Sequence, residues 1–343
     1  MHGTIHPTPD HILQLGMGFW GSKALLSAVE LGVFTELAAG PKAGAELEAA
    51  LGMHPLATFD FLDTLVALGM LERDGDGVAG RYRNTRATDL YLDRAKPTYV
   101  GGILEMANAR LYRFWGDLTP ALRSGRPQNE VKESGKPMFD ELYADPARLE
   151  QFMEAMTGVS MANFQALADR FDFSPYRTIA DIGGATGQLS AIVARAHPHL
   201  KATSCDLAVV TPIAERRIAE AGLEDRVAAA SLNFFLDEFP RADLITMGMI
   251  LHDWNLEKKK ILIAKAFRAL PEGGAFVAIE NVIDDQRREN AFGLLMSLNM
   301  LVEFGDAFDF TGADFASWCL EAGFKRCEIL PLAGPASAAI AYK

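Results

Sequence analysis

The sequence feature that most constrains the fold is an alternation of short apolar segments and helical segments in the second half of the chain. The apolar segments are rich in β-branched residues, and helical periodicity separates several of them. We predict strands at Thr178–Ile182, Ala202–Asp206, Val227–Leu232, Asp243–Ile250 and Ala275–Val282, and helices at Gln188–Ala196, Thr211–Ala221 and Glu257–Ala269. This order predicts an α/β fold in which helices cover both faces of a parallel sheet.

The last two predicted strands lie near Arg326–Leu332 and Ala338–Tyr342, with only Ala333–Ser337 between them. This connection is too short for a crossover helix, so the two strands should pair antiparallel. The parallel sheet is therefore expected to end in an antiparallel strand.

Residues 1–100 follow another pattern, in which helices precede a hairpin. The helical segments, assigned from apolar spacing and from proline and glycine at their ends, are Ile12–Leu37, Gly44–Gly52 and Pro55–Gly69. A turn rich in Gly and Asp, Asp74–Gly80, then separates Met70–Arg73 from Arg81–Asn84. Two helices and a hairpin predict a winged helix.

The charges argue against DNA binding by this winged helix. Residues 1–100 contain eight Lys and Arg against twelve Asp and Glu, and the chain has a formal net charge of −12. The second helix, Pro55–Gly69, contains Asp60 and Asp63 and no cation. Because the phosphate backbone attracts cations, we expect no nucleic-acid partner and favour a dimerisation or substrate-lid role. A winged-helix regulator remains the alternative.

The sequence also indicates the cellular compartment of the protein. No apolar segment approaches the ~20 residues of a membrane helix, so we expect no membrane partner. The N-terminal residues lack the order of a signal peptide. Three cysteines without metal-ligand spacing are typical of reduced thiols, which predicts a cytoplasmic protein.

The most informative motif is the loop Asp181–Gln188, which follows the first predicted strand and begins a helix. Its glycines allow the backbone to turn sharply and to approach a ligand. A dinucleotide motif would require glycine where Ala185 stands, and Asp181 would repel a pyrophosphate. A cofactor with an ammonium group and no phosphate, such as S-adenosylmethionine, fits this loop better.

An acid at the end of the second predicted strand supports this interpretation. The carboxylate of Asp206 could accept two hydrogen bonds from a ribose diol. Taken alone, Asp206 could equally be a surface turn residue. In the order strand, glycine loop, helix, strand and acid, the motif favours a cofactor site.

With the segments Leu232–Phe235, Leu251–Trp254 and Pro271–Gly274, these motifs make the chain resemble the class I S-adenosylmethionine methyltransferases. Within that class it resembles the small-molecule O-methyltransferases related to plant caffeic acid and hydroxyindole enzymes, over nearly its whole length. The resemblance implies a Rossmann-like parallel sheet with an antiparallel last strand, plus an N-terminal, mainly helical winged-helix dimerisation domain. We accordingly predict a homodimerisation domain at residues 1–100, a helical connector and lid at 101–165 and a catalytic domain at 166–343.

The resemblance also assigns a cofactor site. It implies that Asp181 and the glycine loop hold the methionine part and that Asp206 holds the ribose. Asn233, where the family usually has an acid, would bond adenine through its carbonyl oxygen. The implied cofactor residues are Asp181, Gly183, Gly184, Gly187, Asp206, Leu207, Asn233, Phe234, Phe152, Met156 and Ser160, of which the last three would touch the cofactor or the acceptor.

One histidine, His252, follows the fourth predicted strand on the side of the sheet where ligands bind. A neutral imidazole there could take a phenolic proton, and the resemblance implies that His252 is the general base. It also implies that Glu280 and Asp309 orient the imidazole. The alternatives are a structural histidine and two acids that cap surface turns.

The acceptor pocket is predicted from one helix, Asn290–Phe304. Its residues Met296, Asn299, Met300 and Glu303 share a face, although core packing would explain the methionines nearly as well. Further candidate walls are Trp115, Phe139 and Met156. We predict methylation of a hydroxyl on a small aromatic metabolite, without a metal ion.

Two alternatives remain open. A metal-assisted C-methyltransferase acting on an α-keto acid or a ring carbon would need Glu303 as a ligand, because no histidine follows His252. A cofactor-binding relative that does not transfer methyl groups is the other.

Overall fold

The computed structural model describes residues 7–135, 142–143 and 145–343. The chain divides into two units, Met1–Arg113 and Phe114–Lys343. The domain boundaries predicted at residues 100 and 165 stay predictions.

The first unit combines helices with a small antiparallel sheet. Its helices are α1 (Asp10–Gly16), α2 (Gly18–Leu31), α3 (Val33–Glu36), α4 (Gly44–Leu51), α5 (Pro55–Ala67), α6 (Arg86–Leu92) and α7 (Gly101–Met106), followed by a π-helix at Ala107–Leu111; 3₁₀ turns lie at Leu37–Ala39 and Gly77–Ala79. Its strands are β1 (Lys42–Ala43), β2 (Leu71–Asp74) and β3 (Arg81–Asn84), in the order β1-β3-β2. Helices α4 and α5 with the β2–β3 hairpin confirm the predicted winged helix.

One of the two acids of helix α5, Asp63, has a structural role. Asp63 accepts hydrogen bonds from the Tyr82 hydroxyl (2.8 Å) and from Arg73 (2.6 Å), both on the hairpin. Tyr82 is fully buried in the core of this unit. Asp63 therefore fastens the second helix to the hairpin.

The second unit is built on a seven-stranded sheet. Its strands are β4 (Thr178–Ile182), β5 (Lys201–Asp206), β6 (Val227–Ser231), β7 (Leu244–Gly248), β8 (Ala275–Glu280), β9 (Arg326–Pro331) and β10 (Ser337–Tyr342). They lie in the order β6-β5-β4-β7-β8-β10-β9. Strands β4 to β8 are parallel, and β10 pairs antiparallel with β8 and β9. The predicted fold class is confirmed.

Helices cover both faces of this sheet. The helices of this unit are α8 (Leu118–Ser124), α9 (Val131–Ser134), α10 (Pro146–Arg170), α11 (Gln188–Ala196), α12 (Thr211–Glu220), α13 (Leu256–Ala269), α14 (Ala291–Phe304) and α15 (Gly312–Ala322), with 3₁₀ turns at Trp115–Asp117 and Leu251–Asp253. A one-turn helix, Tyr112–Phe114, joins the two units along the chain. Along β8, Val277 and Ile279 belong to one core cluster, whereas Phe276 and Ala278 belong to the other. Because both faces are covered, the strand is apolar from Ala275 to Ile279.

Parallel pairing brings the carboxyl ends of β4, β5, β7 and β8 to one edge of the sheet. This is the edge at which α/β proteins bind ligands. The glycine loop, Asp206, the His252 turn and Glu280 all follow or end these strands. Among the described residues, no helix has the length and apolar character needed to cross a membrane.

Candidate active site

The glycine loop lies against the end of β5. The backbone N–H groups of Gly183 and Gly184 donate to the carbonyl of Cys205, at 2.8 and 3.1 Å. A Cβ atom on Gly183 would lie 2.4 Å from Ile250, and one on Gly184 would lie 2.2 Å from the Ser204 hydroxyl. Side chains are therefore excluded from both positions, and the backbone itself lines the cradle.

The loop ends at the beginning of helix α11. Gly187 precedes this helix in the left-handed region, with φ of 74°. Ala185 adopts φ of 48°, a conformation that costs energy in a residue with a Cβ atom. The first N–H groups of α11 give the cradle a partial positive charge.

Asp206 fastens the loop from the neighbouring strand. Its Oδ2 accepts a hydrogen bond from the Ala185 N–H (2.9 Å) and its Oδ1 accepts one from the Leu207 N–H (2.7 Å). Burial raises the pKa of Asp206, and the two amide donors oppose that rise. Each carboxylate oxygen keeps acceptor capacity for a second donor, as a ribose diol requires. The cradle and this carboxylate therefore fit S-adenosylmethionine.

Asp181 is more enclosed than the sequence alone indicates. It is 2% exposed, and it accepts hydrogen bonds from Thr246 (2.7 Å) on β7 and Ser190 (3.4 Å) on α11. Burial raises its pKa to about 6. Asp181 thus holds β4, β7 and α11 together behind the loop, while its predicted contact with the methionine part stays a prediction.

Asn233 and Phe234 follow β6. The Asn233 carbonyl oxygen already accepts hydrogen bonds from the N–H groups of Phe235 (3.1 Å) and Leu236 (3.3 Å). The Phe234 ring lies beside the glycine loop and packs edge to face with Trp254, at 5.9 Å between ring centroids. Phe234 therefore lies beside the loop, while its contact with the cofactor and the bond from Asn233 to adenine both stay predictions.

Helix α10 contacts the same loop. The hydroxyl groups of Thr157 and Thr186 form a hydrogen bond of 2.8 Å, and Phe152 joins an apolar cluster that includes Ala185 and Leu207. The other two predicted residues of this helix, half-buried Met156 and buried Ser160, lie on either side of Thr157 in sequence.

Tyr143 was missed by the sequence analysis. It packs in the same apolar cluster as Ala185 and Leu207. Burial raises its pKa, and the charges of Asp206 and Asp253 raise it further. Tyr143 therefore lies near both the proposed ribose acid and the acid beside His252. No motif marks this tyrosine in the sequence.

The structure gathers His252 and four acids from four segments. His252 and Asp253 belong to the 3₁₀ turn after β7, Glu280 ends β8, Glu303 lies on α14, and Asp309 lies between α14 and α15. His252, Glu280, Glu303 and Asp309 are buried. Nδ1 of His252 lies 3.4 Å from Oδ1 of Asp309 and 3.8 Å from Oε2 of Glu280, while Nε2 lies 3.3 Å from Oδ1 of Asp253.

One oxygen of Glu280 builds the turn and the other faces the imidazole. Oε1 accepts hydrogen bonds from the N–H groups of Leu251 (2.9 Å) and His252 (3.4 Å). Within the described part of the chain, Oε2 of Glu280 and both Asp309 carboxylate oxygens are buried without a hydrogen-bond partner. Such oxygens are costly to bury unless a nearby positive charge or proton compensates them.

The acids favour a protonated imidazole. Burial opposes the charged form of His252, but Glu280, Asp253 and Asp309 outweigh burial and raise the pKa of His252 to about 10. Burial also raises the pKa of Glu280 to about 7 and that of Asp253 to about 6. The site therefore holds at least one proton at neutral pH that a reaction could move.

The same geometry offers ligands to a metal ion. Donor atoms of His252, Glu280 and Asp309 lie within 4.8 Å of one another. Glu303, the ligand that a metal-assisted mechanism would need, does not belong to this group.

Two of the residues predicted to line the acceptor pocket are in direct contact. The Trp115 indole N–H donates to the Asn299 carbonyl oxygen at 2.8 Å. Asn299 and Met296 are half-buried on α14, whereas Met300 and Glu303 are buried. Phe139 lies outside the described residues.

Comparison with known proteins agrees with this geometry. The family profile of the O-methyltransferase domain matches residues 115–325, and that of the O-methyltransferase dimerisation domain matches residues 13–94. The chain is 43% identical to the tetracenomycin polyketide synthesis 8-O-methyl transferase TcmO of Streptomyces glaucescens, over 98% of this chain and 97% of that protein. It is 38% identical to the N,N-dimethyltransferase OxyT of Streptomyces rimosus, over 92% and 90%.

A solved structure extends the similarity to the cofactor. Human N-acetylserotonin methyltransferase in complex with SAM superposes with a TM-score of 0.90 at 29% identity, covering 99% of both chains. The cradle and carboxylate described above suit the same donor. The chain therefore belongs to the O-methyltransferase family, as an S-adenosylmethionine-dependent enzyme with an N-terminal dimerisation domain.

Proposed function

We propose that this enzyme methylates a hydroxyl group on an aromatic ring and that His252 is the general base. The observation that carries the proposal is the position of the His252 imidazole. It is buried between Glu280 and Asp309, at the sheet edge that also carries the glycine loop. TcmO is a polyketide-synthesis 8-O-methyl transferase and the human enzyme is an N-acetylserotonin methyltransferase, which supports an aromatic acceptor.

The donor supplies a methyl group already activated by the sulfonium charge. The protein must then position the acceptor, exclude water and accept its proton. With its Nδ1 proton directed at Asp309 and Glu280, His252 presents the lone pair of Nε2. That nitrogen takes the hydroxyl proton, and Asp253, 3.3 Å away, stabilises the resulting imidazolium.

The acids explain why the base needs the bound donor. Alone, the raised pKa of His252 keeps the imidazole protonated and unable to act as a base. A second positive charge in the site would disfavour the imidazolium, so a bound donor would shift His252 toward its neutral form. Glu280 and Asp309 keep the ring oriented throughout.

We infer further that the enzyme is a homodimer formed through its N-terminal domain. Helices α1 and α2 expose large apolar side chains, among them Ile12 (73%), Leu15 (76%) and Trp20 (64%). Such a surface is typical of an interface. The absence of cations from α5 supports a protein without a nucleic-acid partner, and the three free cysteines support a cytoplasmic location.

The test compares His252→Ala with His199→Ala, a control at an exposed histidine outside the site and the proposed interface. Both variants are assayed for methyl transfer from labelled S-adenosylmethionine to 1-naphthol, 3-hydroxy-2-naphthoate and N-acetylserotonin, with naphthylamine as the nitrogen analogue. We expect His252→Ala to lose at least about 100-fold in kcat, the lower end of the range for a general base, while binding S-adenosylhomocysteine normally. Undiminished turnover by His252→Ala would remove the base from the mechanism. Exclusive methylation of naphthylamine would remove the hydroxyl acceptor.

A further inference from the structure

A fully buried lysine lies close to the group formed by His252 and its neighbouring acids. Lys259 on α13 is 0% exposed, whereas its neighbour Lys258 is exposed and Lys260 is half-buried. Lys260 forms an ion pair of 2.6 Å with Glu321. No described carboxylate oxygen lies within 4.0 Å of the Lys259 ammonium. A charge buried without an adjacent counterion is costly, so it needs an explanation.

The ammonium group of Lys259 contacts the two segments that carry the proposed catalytic residues. It donates a hydrogen bond to the carbonyl of Trp254, which follows His252 and Asp253 directly. It also lies 3.7 Å from the ring centroid of Phe308, the residue before Asp309. A cation over an aromatic face is attracted to it, most strongly when desolvated. One ammonium therefore joins the histidine turn to the Asp309 segment.

Several charges act on this ammonium from the elements packed around it. Burial lowers the pKa of Lys259 to about 8, while Glu280, Asp309, Asp253 and Asp306 oppose that fall. Glu303 on α14 acts on Asp253 in the same cluster, as does His252. At neutral pH, Lys259 therefore supplies positive charge to a region with a marked excess of carboxylates.

We propose that Lys259 is a positioning residue for methyl transfer: it fastens the His252 turn to the Asp309 segment and supplies the positive charge that lets His252 release its proton among the carboxylates. Without that charge, the carboxylates would hold the His252 proton more firmly. This proposal deepens the proposed function, because it rests on His252 acting as the base.

The test follows the His252 imidazole itself by NMR. Protein labelled with ¹⁵N-histidine is titrated with pH in the presence of S-adenosylhomocysteine, and the His252 signals are assigned by their loss in His252→Asn. Lys259→Met removes the charge and keeps a similar length. Lys259→Arg keeps the charge, and Lys260→Met is the matched control outside the cluster.

Lys259 itself loses its proton at lower pH than His252, so the two charge states of position 259 are compared directly. We expect the His252 titration midpoint to lie about one pH unit lower in Lys259→Arg, which stays charged throughout, than in Lys259→Met, the effect of a nearby charge at a protein's effective dielectric constant. Lys260→Met should leave the native midpoint unchanged. Equal midpoints in folded Lys259→Arg and Lys259→Met would overturn the proposal. If Lys259→Met does not fold, Lys259→Gln replaces it with the same expectation.

The two proposals fail separately. A shifted midpoint combined with full turnover by His252→Ala would remove the base role and keep the electrostatic role of Lys259. Equal midpoints in Lys259→Arg and Lys259→Met, combined with loss of turnover by His252→Ala, would remove only the role of Lys259. In kinetics with 1-naphthol, Lys259→Met should lower kcat at neutral pH and leave KM unchanged. The loss in kcat should disappear at higher pH.

Discussion

Nδ1 of His252 lies 3.4 Å from Oδ1 of Asp309, closer than it lies to Glu280 at 3.8 Å. The two residues come from separate segments, the turn after β7 and the connection between α14 and α15. Oε1 of Glu280 is already occupied by the backbone of the turn. Asp309 is therefore the acid best placed to accept the imidazole N–H, and Glu280 shapes the turn that presents it.

The two acids should accordingly differ when they are neutralised. We expect Asp309→Asn to lower kcat by about tenfold or more with little change in KM, because it weakens orientation of the base without touching the donor. Glu280→Gln should also lower the melting temperature, because it weakens the acceptor for two buried N–H groups. Steady-state kinetics and thermal unfolding check both. Equal kinetic and thermal effects of the two variants would contradict this division of roles.

Donor charge should be visible in the titration of His252. The pKa of His252 is raised to about 10 by its acids, and a nearby positive charge lowers a histidine pKa. We therefore expect a lower midpoint with S-adenosylmethionine than with S-adenosylhomocysteine, which makes similar contacts but lacks the sulfonium charge. In turnover, kcat should rise with pH below the lower midpoint and level off above it. Identical midpoints with the two ligands would show that the sulfonium does not act on the base.

Backbone strain in the cradle predicts opposite effects of two substitutions. Ala185 has φ of 48° and Gly187 has φ of 74°. Ala185→Gly should relieve strain and raise the free energy of unfolding by up to about 1 kcal/mol. Gly187→Ala should lower it by at least that amount and weaken S-adenosylhomocysteine binding, since its Cβ would also press on Ile218 at 3.3 Å. Denaturant unfolding and calorimetry check both, and destabilisation by Ala185→Gly would count against this reading of the loop.

Asp206 should contribute to donor binding through both carboxylate oxygens. In Asp206→Asn one oxygen becomes an amide nitrogen, which cannot accept from Ala185 or Leu207. We expect S-adenosylhomocysteine to bind about 10- to 100-fold more weakly, in line with about 1–3 kcal/mol for an unsatisfied buried group. Asp225→Asn, whose side chain is 77% exposed, serves as the control in the same titration. Unchanged affinity would remove Asp206 from the ribose site.

Treatment with a chelator distinguishes a mechanism based on proton transfer from one that needs a metal ion. His252, Glu280 and Asp309 could hold an ion, but their geometry is equally explained by a shared proton. We expect turnover to survive extensive dialysis against EDTA and to be unaffected by added Mg²⁺ or Zn²⁺. Activity that falls on dialysis and returns with one of these ions would favour the metal-assisted alternative.

Much of this architecture could be predicted because it follows local rules. The strand β4 and the helix α11 begin and end where the apolar pattern and the glycines predict, and the short connection before β10 required antiparallel pairing. The loop glycines were recognisable because strand, loop and helix stand in fixed order. Asp309 was harder, because its distance from His252 depends on how α14 returns to the sheet.

Other features have no signature in the sequence. Tyr143 reaches Asp206 and Asp253 only through tertiary packing, and nothing in a run of three lysines indicates that the middle one is buried. The enclosure of Asp181 depends on Thr246 and Ser190, whose hydroxyl groups occur on buried surfaces in many folds. Such residues are found only when the segments are placed in space.

The helix α14 has a consequence for how enzymes of this kind diversify. The donor cradle combines β4, β5 and α11, whereas Met296, Asn299, Met300 and Glu303 all stand on one helix. If α14 lines the acceptor pocket as we propose, substitutions on that single helix can change the acceptor while the residues that bind the donor stay the same. The chain's similarity to both an O-methyltransferase and an N,N-dimethyltransferase is consistent with this separation of the donor and acceptor sites.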